Sequence, residues 1–273
     1  MRSVCFLLAI AASAGAQVAE PPSHQKLIPT LWVQTSQEWG ALCRQTYRLA
    51  LRALDEALRD EHWSAIAGHG HVHAALPPAV ILDIDETVLD NSPGQARQVR
   101  AGAAFDVKLW DEWVGEANAD PIPGAVDFCR SAAARGVTVF YVSNREAYHE
   151  AATRSNLTRH GFPLEAAEDV VLLRGEQAGW GGDKSSRRAH VAARYRVLLL
   201  VGDDLSDFLE GVRARLARRE ALAAPYSEYW GLKWFLLPNP SYGSWEEALY
   251  ADPKPADPGE QLKQKLGHLK TGR

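Results

Sequence analysis

Four apolar runs dominate the architecture this chain can adopt: AVILD at 79–83, VTVFYVS at 137–143, DVVLL at 169–173 and VLLLVGD at 197–203. Each is continuously apolar rather than alternating, which is the pattern of a strand buried on both faces. Stretches with helical character separate them, at about 124–134, 147–159, 184–194 and 205–218. Continuous strands alternating with helices predict an α/β fold, a doubly wound parallel sheet covered on both sides. A shorter apolar piece, KWFLLPNP at 233–240, adds one more strand.

Around that frame the chain carries three additions. Thr35 and Glu38 have capping-box spacing, and Trp39, Leu42, Cys43, Tyr47, Leu51, Leu54 and Leu58 follow at helical intervals. These residues predict an amphipathic N-terminal helix from 36 to about 60. The interval 90–120 is too long for a simple connection, and FDVKLWDEWVGEA inside it has helical character, so it reads as a small helical cap. Residues 251–273 have the composition of a flexible tail. The main domain is expected to run from 17 to 250.

Residues 1–16, MRSVCFLLAIAASAGA, combine an early arginine, an apolar stretch too short to span a bilayer, and small residues at Ala14 and Ala16. That is the composition of a cleaved signal peptide, and it predicts a periplasmic or secreted protein. Cys5 lies at the start of the apolar stretch, where it is badly placed for lipid attachment, so no membrane anchor is expected. Cys43 and Cys129 both fall on apolar faces of predicted helices and read as buried thiols, although an oxidising compartment permits a disulfide. A formal charge of −4 without a long basic run argues against a nucleic-acid polymer as partner.

Ligands of an open parallel sheet bind in the crevice outside the carboxyl ends of its strands. Here those ends carry Asp83 and Asp85, then Ser143 and Asn144, then Asp203 and Asp204 with Asp207 beyond; Lys184 opens a later helix. Carboxylates one residue apart raise each other's pKa, and a cation turns that crowding into an advantage. The residue types suit phosphoryl transfer: one carboxylate to attack phosphorus, a second to move a proton, and a hydroxyl, a cation and a metal to hold charged oxygens.

DIDET, then VSN, then Lys184, then GDDLSD resemble, in order, the four motifs of haloacid-dehalogenase superfamily phosphatases. The similarity is greatest to the class C nonspecific acid phosphatases, the DDDD phosphohydrolases, and extends over about 30–250 through FDVKLWDEWV, PGAVDF and LLPNPSYGSWE. The resemblance implies a Rossmann-like haloacid dehalogenase fold and hydrolysis of small phosphomonoesters, 5′-nucleotides and aryl phosphates among them. It implies Asp83 as nucleophile, Asp85 as acid and then base, Ser143 as phosphate donor and Lys184 as counter-charge. Mg²⁺ would be held by Asp83, the main-chain carbonyl of Asp85, and Asp203, with Asp207 in support. Asn144 belongs with the substrate-binding set.

Two positions depart from the family pattern. Gly94 stands where an aromatic residue is usual, which puts one wall of the substrate pocket in doubt, and Asp204 stands where Asn or Glu is usual, adding negative charge near the metal. Trp110 and Trp113, three apart on a predicted helix, have the spacing of core residues; the resemblance raises one of them towards a stacking wall, with Tyr229, Trp230 or Tyr242 opposite. His69, His71 and His73 alternate as metal ligands do, but a loop before the first strand produces the same pattern. A phosphotransferase on the same fold and a non-catalytic storage or binding relative are the alternative functions.

Overall fold

The computed structural model describes residues 25–68 and 75–272. The segment 1–16 and the three histidines at 69, 71 and 73 lie outside the described residues. Helix α1, Leu27–Thr35, runs into α2, Gln37–Arg59. Ser36 separates the two in an extended conformation and caps α2, its hydroxyl accepting from the backbone N–H of Trp39 at 3.2 Å. The expected capping residue, Thr35, instead donates its hydroxyl to the carbonyl of Leu31 at the end of α1. Cys43, Tyr47, Ala50, Leu54 and Ala57 recur every three or four residues, so one face of α2 is buried.

Strand β1, Pro78–Leu82, leads into β2, Leu89–Asp90, and the cap interval follows: α3, Ser92–Arg100, and α4, Val107–Gly115. β3, Asp120–Pro121, returns antiparallel to β2 and closes that excursion at its base. Then come α5, Ala125–Ala133; β4, Thr138–Glu146; α6, Glu150–His160; β5, Val171–Arg174; α7, Ser185–Ala192; and β6, Arg196–Gly202. Five strands form one all-parallel sheet in the order β5-β4-β1-β6-β7, where β7 is Trp234–Leu236. Helices flank it, as the alternation of apolar strands and helices requires, and every residue of β6 is buried.

The chain leaves β1 for β4 on one side and later places β6 on the other. The sheet order therefore switches at β1, and the crevice lies just beyond Leu82.

Two segments differ from the sequence expectation. The predicted helix at 205–218 is a single turn, Leu205–Asp207, and helix begins again only at α8, Leu216–Ala223. Asp204 accepts from the N–H of Ser206 while the Asp207 carboxylate accepts from the N–H groups of Asp203 and Asp204; Gly211 then takes φ of 71°, which ends regular structure. After a short α9, Ser244–Glu247, the 251–273 segment forms α10, Pro258–Gly267. Asp257 caps α10 through the N–H of Glu260, with proline in the first turn, and composition alone hid that signal. Cys43 and Cys129 are both free and buried.

Candidate active site

Asp83 follows directly on β1, and its N–H donates to the carbonyl of Val201 in β6 at 2.9 Å. That bond brings the end of the central strand beside Asp203, which follows β6. Asp83, Asp203 and Asp207 each place a carboxylate oxygen within 4.8 Å of the others. Lys184, at the start of α7, reaches into the same place: its ammonium donates to Asp83 and, at 2.6 Å, to Asp207.

One ammonium among three carboxylates, those of Asp83 and Asp207 buried and that of Asp203 half-buried, leaves surplus negative charge at the site. Burial pushes the Asp83 carboxyl up to about 7, with Asp207 and Asp85 adding repulsion against the pull of Lys184. Burial likewise holds Asp203 well above the usual carboxylate range, reinforced by Asp83 and Asp207. Burial disfavours the charged form of Lys184, but Asp207 and Asp83 outweigh it and raise the ammonium's pKa. Such a site calls for a further cation, and three carboxylates are the hard oxygen donors that a divalent ion takes. Both oxygens of Asp207 are already engaged, Oδ1 by Lys184 and Oδ2 by the N–H groups of Asp203 and Asp204. The oxygens of Asp83 are engaged as well, Oδ1 by Lys184 and Oδ2 by the Thr87 hydroxyl at 3.2 Å, and that hydroxyl also lies 3.5 Å from Asp203 Oδ1. Asn239 fixes Asp203 by donating to Oδ2 at 2.7 Å.

The side chain of Asp85 stands apart from this trio, although proximity in sequence groups it with them. Asn91 and Arg145 donate to its Oδ1 at 2.8 and 3.0 Å, and the Ser143 hydroxyl donates to its Oδ2 at 3.1 Å. Arg145 also bonds Thr153, so its guanidinium is wholly enclosed. Ser143, expected to face phosphate, thus points at Asp85. Asn144 uses both ends of its amide, donating to Gly182 and accepting from Arg187, and so braces the loop that delivers Lys184. Arg145 and Arg187 are buried, and sequence reasoning gave them no role; the clue was that Arg145 sits two residues past Ser143 near the end of β4.

A cavity of about 360 Å³ opens over these groups, with Trp110, Phe105 and Tyr242 among its walls. Trp113 is not a wall. It is buried, its indole N–H donates to Asn91 at 2.8 Å, and it packs against Gly94. The indole thus occupies the space into which a side chain at 94 would project. Tyr229 and Trp230 pack around Trp234 and are also not walls. Tyr242 donates its hydroxyl to Glu86, a buried carboxyl missed in the sequence, whose φ of 59° is in the left-handed region. Asp204 faces away from the trio. Its carboxylate accepts from the N–H and hydroxyl of Ser244 and, although burial opposes it, these bonds and that from Ser206 hold its pKa below the usual value.

Among solved structures, the class C acid phosphatase from Bacillus anthracis superposes with a TM-score of 0.80 at 35% identity, covering 93% of this chain and 100% of that one. The same protein with tungstate bound gives 0.78 at 34% identity. A stem 28 kDa glycoprotein from Glycine max is 25% identical over 166 residues, and acid phosphatase 1 from Solanum lycopersicum is 29% identical over 132 residues. The matched regions span 58% and 51% of those two relatives' lengths. The model of the acid phosphatases of HAD superfamily subfamily IIIB matches residues 13–245, and the chain belongs to that family.

Proposed function

We propose that this protein is an exported, periplasmic or secreted, Mg²⁺-dependent acid phosphatase that hydrolyses small phosphomonoesters such as 5′-nucleotides and aryl phosphates. The observation that carries the reading is the meeting of Asp83, Asp203, Asp207 and Lys184 at the switch point of the sheet. Family membership supports the reaction class, and the neighbour's tungstate is a tetrahedral oxyanion shaped like phosphate.

In this reading a carboxylate oxygen of Asp83 attacks phosphorus while the bond to the leaving oxygen breaks. Asp85 gives that oxygen its proton. Water then attacks the phosphorus of the aspartyl phosphate, Asp85 takes the water's proton, and the Asp83 carboxylate departs. Asp83 and Asp203 would hold Mg²⁺ with Asp207 in support, and its charge would offset the phosphoryl oxygens. Lys184 contributes a second positive charge at the same oxygens. Arg145, Asn91 and Ser143 keep the Asp85 carboxyl turned away from Asp83, so the proton donor and the nucleophile occupy different sides of the entering phosphate. Trp110 offers a flat apolar wall to a leaving-group ring.

The test is release of p-nitrophenol from p-nitrophenyl phosphate by purified protein, after exhaustive chelation and after Mg²⁺ is restored. Turnover that requires Mg²⁺ is expected. Full activity after chelation would remove the metal from the mechanism, and no turnover with Mg²⁺ would favour the storage or binding alternative. Transfer of phosphate to added alcohol in preference to water would favour a phosphotransferase.

A further inference from the structure

Lys26, at the start of α1, and Lys254, between α9 and α10, both line the cavity. They come from opposite ends of the chain. α10 ties the two ends together, because the ammonium of Lys265 donates to Gln25 at 2.6 Å and to Glu246 at 2.5 Å.

The carboxylates of this rim already have partners. Glu246 is bonded by Lys265, Glu247 by Arg213 at 2.8 Å, Glu86 by Tyr242 and the N–H of Asn91, and Asp204 by Ser244. Among the described residues, neither Lys26 nor Lys254 forms an ion pair or a side-chain hydrogen bond; each ammonium lies over an aromatic ring, Tyr242 at 5.7 Å and Tyr250 at 4.6 Å. Burial lowers the pKa of Lys26; Glu246 and Glu86 oppose that, while Lys254 and Lys265 repel its charge. Two lysines that line one cavity, neither held in an ion pair among the described residues, make a site for an anion.

We infer that Lys26 and Lys254 form a second anion subsite in the cavity, selecting phosphomonoesters whose leaving group carries a further carboxylate or phosphate. The inference rests on the phosphatase reading, which supplies the first phosphate position at Asp83 and Lys184. A substrate with a negative charge at each end would span the cavity, one end on the aspartate trio's cation side and the other between the two lysines.

Binding of non-hydrolysable ligands separates the two readings. Calorimetry in Mg²⁺ buffer would compare carboxyalkylphosphonates of increasing length with alkylphosphonates of equal length ending in methyl. At the length that fits, the carboxylate should improve Kd about three- to tenfold, since partly exposed ion pairs are individually weak. In Lys26→Met and Lys254→Met, with folding checked by circular dichroism, that carboxylate-over-methyl ratio should shrink towards one, and raised salt should shrink it in the unaltered protein. A ratio of one at every length, or a ratio preserved in both variants, overturns the subsite while leaving the phosphatase reading intact. Failure of every phosphonate to bind overturns both.

Discussion

Gly94 lies so close to Trp113 that a Cβ at position 94 would stand 2.8 Å from the indole Cδ1. Gly94→Ala should therefore destabilise the protein by about 1–3 kcal/mol through overpacking, despite alanine's better helix propensity in α3. Trp113→Ala should cost about 3–5 kcal/mol by leaving a cavity and removing the indole's hydrogen bond to Asn91. In the double variant the penalty of the Gly94→Ala change should vanish, a coupling measurable by urea denaturation; additive losses would mean that the two side chains do not compete for space.

Trp110 and Trp113 stand three residues apart and should behave differently. Trp110→Ala removes a cavity wall and should raise KM for a 5′-nucleotide by the equivalent of about 1–3 kcal/mol, with much less effect on glycerol phosphate. Steady-state kinetics on both substrates measures the difference, and equal changes would make Trp110 a packing residue only.

The separate surroundings of Asp83 and Asp85 predict separate losses. Asp83→Asn should abolish turnover on every substrate, because no aspartyl phosphate can form. Asp85→Asn should lose roughly 10²- to 10⁴-fold on an alkyl phosphate and less on p-nitrophenyl phosphate, whose leaving group needs little protonation. The measurement is kcat for both variants on both substrates; equal losses for Asp85→Asn would remove it as the acid.

Metal-free protein should lose stability as pH rises from about 4 towards 7. Asp83 and Asp203 have raised pKa values in the fold, so their contribution is fully present below the unfolded carboxylate range, near 4, and is lost as pH climbs through the folded values, about 7 for Asp83. Lys184 stays charged throughout that window. Mg²⁺ binds the ionised carboxylates, so it should raise Tm more at pH 7.5 than at pH 5. Thermal melts with EDTA and with Mg²⁺ at both pH values check this, and a Mg²⁺ shift equal at the two would contradict it.

The sheet was legible because each strand is a continuous apolar run with a polar stop; the stops follow β1 and β6 directly, while Ser143 and Asn144 fall inside β4, which runs on to Glu146. Sequence spacing could not distinguish Asp83 from Asp85, since adjacent odd positions share one label while a turn beginning at Ile84 sends their side chains to different partners. Which of Trp110 and Trp113 forms the wall was not legible for a similar reason: helical spacing identifies a face of α4 but not what covers it. Arg145, Arg187 and Glu86 were hidden because a charged residue reads as solvated until a partner distant in the chain is found. The Tyr242–Glu86 bond joins residues 156 positions apart.

That separation governs the order in which the molecule can be made. β1 occupies the middle of the sheet, yet its neighbours β4 and β6 are synthesised later, and Lys184 follows Asp83 by 101 residues. A nascent chain that has reached α6 carries Asp83 and Asp85 with neither the lysine nor Asp203, and its central strand has one open edge. Arg145 is by then in place for Asp85, whereas Asp83 and the open edge of β1 are covered only once α7 and β6 have been added.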